Sequence, residues 1–230
     1  MSLQEISFDE ASELYSRSNP GSPFFETWIP RTEFVRGYVT SDGSLTFIRK
    51  DGEGLYVMAV GNDPHIPDEV NKFSIQRSAS DKYLEGAKES GGWDCYYRAT
   101  PAVGELSERR FSDSEIDTFL NEHAPQSSVF PGNDEIQHWV EIIDGDQLVG
   151  VAALCRWESG HIVLSSVATH SEMRSRGIGK RLMDLSLQGA RALGEETLSL
   201  GVFHLNEAGI RLYESTGFTL MHHFMYIERR

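Results

Sequence analysis

Arg174-Ser175-Arg176-Gly177-Ile178-Gly179-Lys180 is the stretch on which the reading of this chain turns. It separates a β-branched run, Ile162 to Thr169, from the most strongly periodic helical segment, Gly177 to Leu193. There Ile178, Leu182, Leu185 and Leu193 share one face, and Gly194 stands where a C-terminal cap belongs. Small residues at 177 and 179 let main-chain N–H groups approach an anion closely, and the helix that follows adds the positive end of its dipole. A phosphate or pyrophosphate is the natural guest. The stretch is no P-loop, which needs glycine where Arg174 stands and Ser or Thr where Arg181 stands, and GxGxxG is absent. A bare strand-to-helix turn needs one glycine and no flanking arginines.

Working outward, His138 to Ile143 and Gln147 to Trp157 read as a hairpin around Asp144-Gly145-Asp146. Ser112 and Glu115 are spaced as a capping box for a helix through Ile116, Phe119 and Leu120, and Trp93 to Thr100 reads as a strand before it. Beyond the long helix come a strand, Thr197 to Phe203, a helix from Asn206 to Ser215 capped by Gly217, and a closing strand, Phe218 to Glu228. The first 92 residues read as a separate α/β region. A helix from Ser7 to Arg17 opens on a second capping box, Ser7 with Glu10, and Asn19-Pro20-Gly21-Ser22-Pro23 ends it. Glu33 to Val39, Ser44 to Arg49 and Leu55 to Val60 form a meander, and helices are expected at Asp68 to Ser74 and Asp81 to Glu89. Met1-Ser2-Leu3 is given no structural weight.

Composition bounds the function. The chain has 230 residues, 39% of them hydrophobic and 24% charged, which suits a folded protein with a real core. Its 21 Lys+Arg against 35 Asp+Glu leave a net charge of −14, which speaks against a general grip on nucleic acid. Cys95 and Cys155 allow at most one disulfide and no zinc cluster, so a cytoplasmic protein with free thiols and no metal is expected. Acidic residues at positions 5, 9, 10 and 13 stand where a signal peptide needs a basic and then an apolar run, and no stretch is long enough to span a membrane.

Two more segments give the turn a context. Ser165-Ser166-Val167-Ala168-Thr169-His170-Ser171-Glu172-Met173 leads into Arg174, and Asn206-Glu207-Ala208-Gly209-Ile210-Arg211-Leu212-Tyr213-Glu214-Ser215-Thr216-Gly217-Phe218 follows some way beyond Gly179. In this order and spacing, residues 93–230 resemble the GNAT superfamily of N-acetyltransferases. The resemblance implies an α/β GNAT fold, a mixed and mostly antiparallel sheet flanked by helices, that splays between the strands at 162–169 and 197–203 so that a thioester enters the gap. It implies acetyl-CoA as co-substrate. Val167, Ala168 and Thr169 match the strand whose main chain pairs with the pantetheine arm, and Arg174, Ser175, Arg176, Gly177, Ile178, Gly179 and Lys180 match the pyrophosphate turn and helix start. Asn206 matches the side chain that hydrogen-bonds the pantetheine arm. Tyr213 matches the hydroxyl that protonates the departing thiolate. Thr169, Ser171 and Gly209 depart from the residues common in the family at those places, without touching the positions that carry the motif.

The reaction implied is direct attack by a primary amine on acetyl-CoA in a ternary complex. An alkyl ammonium has a pKa of about 10.4, so the site must desolvate it or supply a base. His161, Glu158 and His204 are the candidates for that base; Cys155 is a bystander. His170 beside the turn reads as an exposed loop residue, with a contact to phosphate as the alternative, and His222 and His223 alternate faces and make no metal site. A small cationic amine is the expected acceptor, in keeping with the acidic surface. A protein lysine or N-terminus as acceptor, and a non-catalytic acyl-CoA-binding module, are the competing readings. The sequence leaves the role of residues 1–92 open between a degenerate GNAT-like half that completes the acceptor pocket and a dimerisation or packing extension, and a homodimer is compatible with the sequence.

Overall fold

The structure is a computed structural model that describes residues 3–52, 54–174 and 176–230. The elements are β1 (Leu3–Ile6), α1 (Phe8–Ser18), α2 (Phe24–Trp28), β2 (Phe34–Thr40), β3 (Leu45–Asp51), β4 (Gly54–Val60), β5 (Lys72–Gln76), α3 (Asp81–Leu84) and β6 (Glu89–Ala99). After them come α4 (Asp113–His123), β7 (Ile136–Asp144), β8 (Gln147–Arg156), β9 (Ile162–Thr169), α5 (Ile178–Ala192), β10 (Thr197–Phe203), α6 (Glu207–Ser215) and β11 (Thr219–Glu228). They form two compact units that are not consecutive stretches of chain. One holds the residues up to Cys95 together with Val202–Glu207 and Leu220–Arg230; the other holds Tyr96–Gly201 and Ala208–Thr219.

In the first unit β1, β2, β3 and β4 pair antiparallel in sequence order, β5 lies parallel to β4, and β11 closes antiparallel on β5. Alternation along each strand sends apolar side chains to both faces. Phe47, Met58 and Phe224 pack with Tyr15, Phe24 and Phe25 from α1 and α2. Ile48, Val57, Phe73, Ile75 and Ile227 form the opposite layer.

In the second unit β7, β8 and β9 pair antiparallel and β10 joins β9 parallel. One face, through Val151, Ala153 and Cys155, packs against Ile116, Phe119 and Leu120 of α4. The other face takes α5. A Cβ at Gly150 would stand 2.8 Å from Ile178, and one at Gly189 would stand 2.7 Å from Leu154. These glycines set how closely the helix lies on the strand. Both capping boxes are present, Ser7 with Glu10 and Ser112 with Glu115, each satisfying orphan N–H groups of an 11-residue helix.

The fold is α/β with a mostly antiparallel sheet flanked by helices, as the sequence implied, and β9 and β10 have the expected bounds. Four local expectations are corrected. The helix expected at 68–74 is instead an approach to β5, where Phe73 and Ile75 alternate inward at period two and pair with β4 and β11. The helix expected at 81–89 stops at Leu84, ahead of Gly86 with its φ of 81°. Gly91 and Gly92 lie inside β6, which starts at Glu89 and not at the expected Trp93. Leu3 opens a strand paired with β2, and α2 follows the Pro-Gly segment with Phe24 and Phe25 in the core.

Candidate functional site

On β8, Val151 faces Ala168 and Ala153 faces Ser165, so two steps on β8 match three on β9 and the latter carries one extra residue. Ser166 takes the strain of this bulge. Its φ is 48°, the positive φ of a non-glycine among the described residues. Its hydroxyl accepts the Val129 N–H at 3.0 Å and donates to the Val129 carbonyl at 2.7 Å, which holds the backbone in that shape. On its other side β9 meets β10 at Val163 with Ser199 and Leu164 with Leu200, and among the described residues the register ends there. Val167, Ala168 and Thr169 follow beyond that point. Ala168 is buried, while Val167 and Thr169 are partly exposed.

The chain leaves β9 through a 3-10 turn, Ser171–Met173, and reaches Arg174. Ser175 lies outside the described residues. Gly177, with φ 82°, is the N-cap of α5, and the Arg181 N–H donates back to its carbonyl at 3.1 Å. A Cβ on Gly177 would meet nothing within 4 Å, so the space above the helix start is open. No acidic residue occupies the first turn of α5, and Arg174, Arg176, Lys180 and Arg181 are all exposed around it. First-turn N–H groups that the helix cannot satisfy, the dipole and these cations together form an anion-binding cradle. Ile178 is used differently, with a methyl against Gly150. Gly179 also has a structural duty: a Cβ there would come within 3.1 Å of Leu212 on α6, so its small size lets two helices meet.

Tyr213 is on α6, 6% exposed, with its ring near Tyr96 at 6.4 Å and Phe218 at 5.9 Å between centroids. The Gly217-Phe218 pair ends the helix by turning back on it: Gly217, at φ 81°, donates to the Glu214 carbonyl, and the Phe218 N–H donates to the Tyr213 carbonyl at 3.0 Å. Arg98 donates to the Thr216 carbonyl and secures the same turn. Burial pushes the Tyr213 phenol up to about 12, so it keeps its proton across the neutral range. The second unit therefore holds the β9 segment, the cationic turn and Tyr213. Asn206 is exposed and falls in the Val202–Glu207 segment of the first unit.

The candidate bases separate. His161 Nδ1 is 3.0 Å from Glu195, whose carboxylate also accepts the Ile162 N–H at 3.2 Å and faces Arg156 at 3.5 Å. It stands just before β9, seven residues ahead of Ala168 and about 23 Å away at the strand rise. Glu158 is exposed in the turn at that same end. His204 Nδ1 instead lies 2.9 Å from the Gly92 carbonyl. His170 accepts the Glu172 N–H on Nδ1 at 3.3 Å, and its ring lies 4.2 Å from that of His123, which accepts the Ser171 N–H at 3.4 Å. Burial, and next the charge of His170, lower the pKa of His123. Cys155 is fully buried and its thiol is pushed up to about 11 by burial, which removes it as a nucleophile at neutral pH.

His222 and His223 do face opposite ways. His222 is buried with Nε2 at 2.7 Å from the Tyr15 hydroxyl, and burial lowers its pKa to about 4. His223 lies 2.9 Å from the buried Asp94, which Arg77 also engages. Gln76, Arg77, Ser78 and the Leu220–His223 segment line a cavity of about 410 Å³ in the first unit. Among the described residues no group of three or more His, Cys, Asp or Glu could hold a metal ion, and no helix is long and apolar enough to cross a membrane.

The Acetyltransferase (GNAT) family matches residues 101–218, just over half of the chain. This protein belongs to the GNAT acetyltransferase family. Among curated relatives, it is 26% identical over 76 residues to the uncharacterized N-acetyltransferase YvbK of Bacillus subtilis, covering 33% of this chain and 49% of that one. It is 29% identical over 77 residues to the L-amino acid N-acyltransferase MnaT of Escherichia coli, covering 32% and 45%. The L-methionine sulfoximine/L-methionine sulfone acetyltransferase of Salmonella typhimurium is 31% identical over 77 residues, with 32% and 45% covered. The chain spans about half the length of these relatives. A GCN5-related N-acetyltransferase from Sphaerobacter thermophilus shares the fold over 99% of this chain and 95% of its own, with a TM-score of 0.58 at 15% identity. A GNAT-family structure from Novosphingobium aromaticivorans aligns over 82% and 74%, with a TM-score of 0.52 at 15% identity.

The GNAT turn and helix were legible as sequence because they carry glycines and arginines at fixed spacing. Ser166 and Gly92 were not. A left-handed serine depends on Val129, 37 residues away, and the need for glycine at 92 comes from an imidazole 112 residues on.

Proposed function

We propose that this GNAT protein transfers the acetyl group of acetyl-CoA to a primary amine by direct attack in a ternary complex. The observation that carries the reading is the parting of β9 from β10 after Leu164 and Leu200, just ahead of an acid-free, cation-ringed helix start. The residues fit the co-substrate: open space at Gly177 and four exposed cations suit a pyrophosphate, and the edge of β9 from which β10 has parted suits an amide-bearing arm. Acetyl-CoA supplies an activated acyl thioester. Arg174, Arg176, Gly177, Ile178, Gly179 and Lys180 hold its phosphates. Main-chain groups of Val167, Ala168 and Thr169 bind the pantetheine arm and Tyr213 delivers a proton to the departing sulfur; the role of Asn206 toward that arm rests on its place in the family motif alone.

The acceptor we favour is a small cationic amine, which the net charge of −14 attracts. Buried free thiols at Cys95 and Cys155 suit a reducing cytoplasm. We assign the first unit as a degenerate copy of the GNAT fold. Each unit has a helix opened by Ser-x-x-Glu, then an antiparallel hairpin, then a strand pair that is parallel, β4 with β5 and β9 with β10. Between β4 and β5 no helix intervenes, so the copy has no counterpart of the α5 cradle.

The test is release of free CoA from acetyl-CoA with spermidine, tyramine, L-methionine sulfone and a lysine peptide as acceptors, with the acetylated product identified by mass. Tyr213→Phe is expected to bind acetyl-CoA as the wild type does and to lower kcat on the order of 10²-fold. Wild-type turnover should show no alkaline limb from this phenol below about pH 11, since burial holds its pKa near 12. Equal turnover in the two proteins would make Tyr213 a packing residue.

A further inference from the structure

The chain enters the phosphate cradle through one short turn, Ser171–Met173, and two histidines hold that turn. We propose that His123 and His170 are positioning residues of the acetyl-CoA site: as neutral imidazoles they set the turn that delivers Arg174 to the phosphates, so co-substrate affinity follows their protonation. The assignment rests on the acetyl-CoA reading above. Both histidines, the turn, Arg174 and the start of α5 belong to the second unit.

Each N–H group of the turn has an acceptor, and His123 or His170 supplies it every time. The Ser171 N–H donates to Nδ1 of His123 at 3.4 Å, the Glu172 N–H to Nδ1 of His170 at 3.3 Å, and the Met173 N–H to the His170 carbonyl at 3.0 Å. A ring nitrogen that accepts carries the lone pair, so both rings are neutral with the proton on Nε2. A proton on either Nδ1 would set N–H against N–H, and the orphaned turn donor must then find water or move.

The rings are built in. The His170 main-chain N–H donates to the Val149 carbonyl on β8 at 2.9 Å, so its ring is carried on a fixed backbone. His123 ends α4, whose Ile116, Phe119 and Leu120 pack on the sheet. Phe119 lies edge-on to His123 at 4.6 Å between centroids, and the two imidazoles lie 4.2 Å apart. The core under α4 is thereby joined through two rings to the turn before Arg174.

Charges around the pair pull both ways. Glu122 on α4, Glu172 on the turn and the carbonyl end of α4 favour a proton on His123, whereas burial above all, then His170 and Arg174, oppose it. Glu172 and Arg174 also follow His170 on its own segment. The balance lowers the pKa of His123 below the ordinary histidine value of about 6.5, so the neutral form that holds the turn is present near pH 7 and is lost as pH falls.

The test is acetyl-CoA affinity by calorimetry at about pH 7.5 and about pH 5, either side of the ordinary histidine pKa, with circular dichroism to confirm folding. The proteins are wild type, His123→Phe and a His123→Asn/His170→Asn double variant. Phenylalanine keeps a ring against Phe119 without an acceptor; asparagine, a preferred N-cap residue, keeps an acceptor that does not titrate. Titration of the ligand's own phosphate is common to all of them. At the higher pH His123→Phe should bind about two- to tenfold more weakly, and the double variant within about twofold of wild type. In acid the wild type should lose about two- to tenfold more affinity than the double variant. If the double variant does not fold, His170→Asn alone should show the smaller acid loss. Equal acid losses, undiminished affinity in His123→Phe, or a wild type that gains affinity in acid relative to the asparagine variants, as cations on phosphate would make it do, would overturn the assignment. Wild-type protein that binds acetyl-CoA at neither pH would instead remove the reading beneath it.

Discussion

His222 and His223 are neighbours in β11 with opposite environments, and the difference sets an acid limit on stability. His222 is 5% exposed and neutral, its Nε2 bonded to Tyr15 and its pKa lowered to about 4 by burial and, secondarily, by His223. An unfolded histidine titrates near 6.5, so as pH falls below that value the unfolded chain gains a proton that the folded one refuses. The stabilisation is complete above about pH 6.5 and is lost as pH falls toward 4, by about 3 kcal/mol. Urea unfolding of wild type and His222→Phe at pH 7 and pH 4 measures it: the variant should lose much less stability between the two. Parallel losses would place the acid sensitivity elsewhere. At this scale the sequence exposed residue types and spacing but not partners. Tyr213, Arg174 and Gly177 announced themselves through the motif. Nothing in the sequence around His161 shows that Glu195, 34 residues on, holds it.

Among the elements, β9 is the one whose irregularity matters. Its bounds followed from a β-branched run, yet its bulge did not, because the left-handed Ser166 is stable only with Val129 on its hydroxyl. β5 departs from its sequence pattern for a related reason. Asp68 and Glu69 resemble a helix start, whereas the pairing of Lys72–Gln76 with strands far away in sequence decides for extended chain. α5 was legible because its face, its caps and its glycines all agree locally. Ser166→Ala leaves the buried Val129 N–H and carbonyl without the hydroxyl and should cost about 1–3 kcal/mol, read as a lower urea midpoint. It should also weaken acetyl-CoA binding, because the β9 segment that follows loses its set. A variant with unchanged midpoint and unchanged affinity would show that the bulge forms without the serine.

For the molecule as a whole, an excess of 14 negative charges coexists with Arg174, Arg176, Lys180 and Arg181 gathered at one helix start. That contrast suits a protein that holds an anionic co-substrate at one place and attracts cations over the rest of its surface. The GNAT unit was readable from its motif, while the first unit was readable only as strands and helices. The kinship proposed for it rests on strand pairing and on twin capping boxes, features of topology that leave no catalytic signature. The central claim is that acetyl-CoA is held at the start of α5. The direct measurement is the thermal midpoint with and without acetyl-CoA for wild type, Gly177→Ala and Gly177→Glu. Alanine adds only the strain of a left-handed residue, roughly 1–2 kcal/mol, while glutamate sets a carboxylate in the open space where phosphate belongs. At 100-fold excess over Kd the wild type should gain about 2.7 kcal/mol, the alanine variant should still shift, and the glutamate variant should not. A wild-type midpoint indifferent to acetyl-CoA, or an equal shift in Gly177→Glu, would contradict the account.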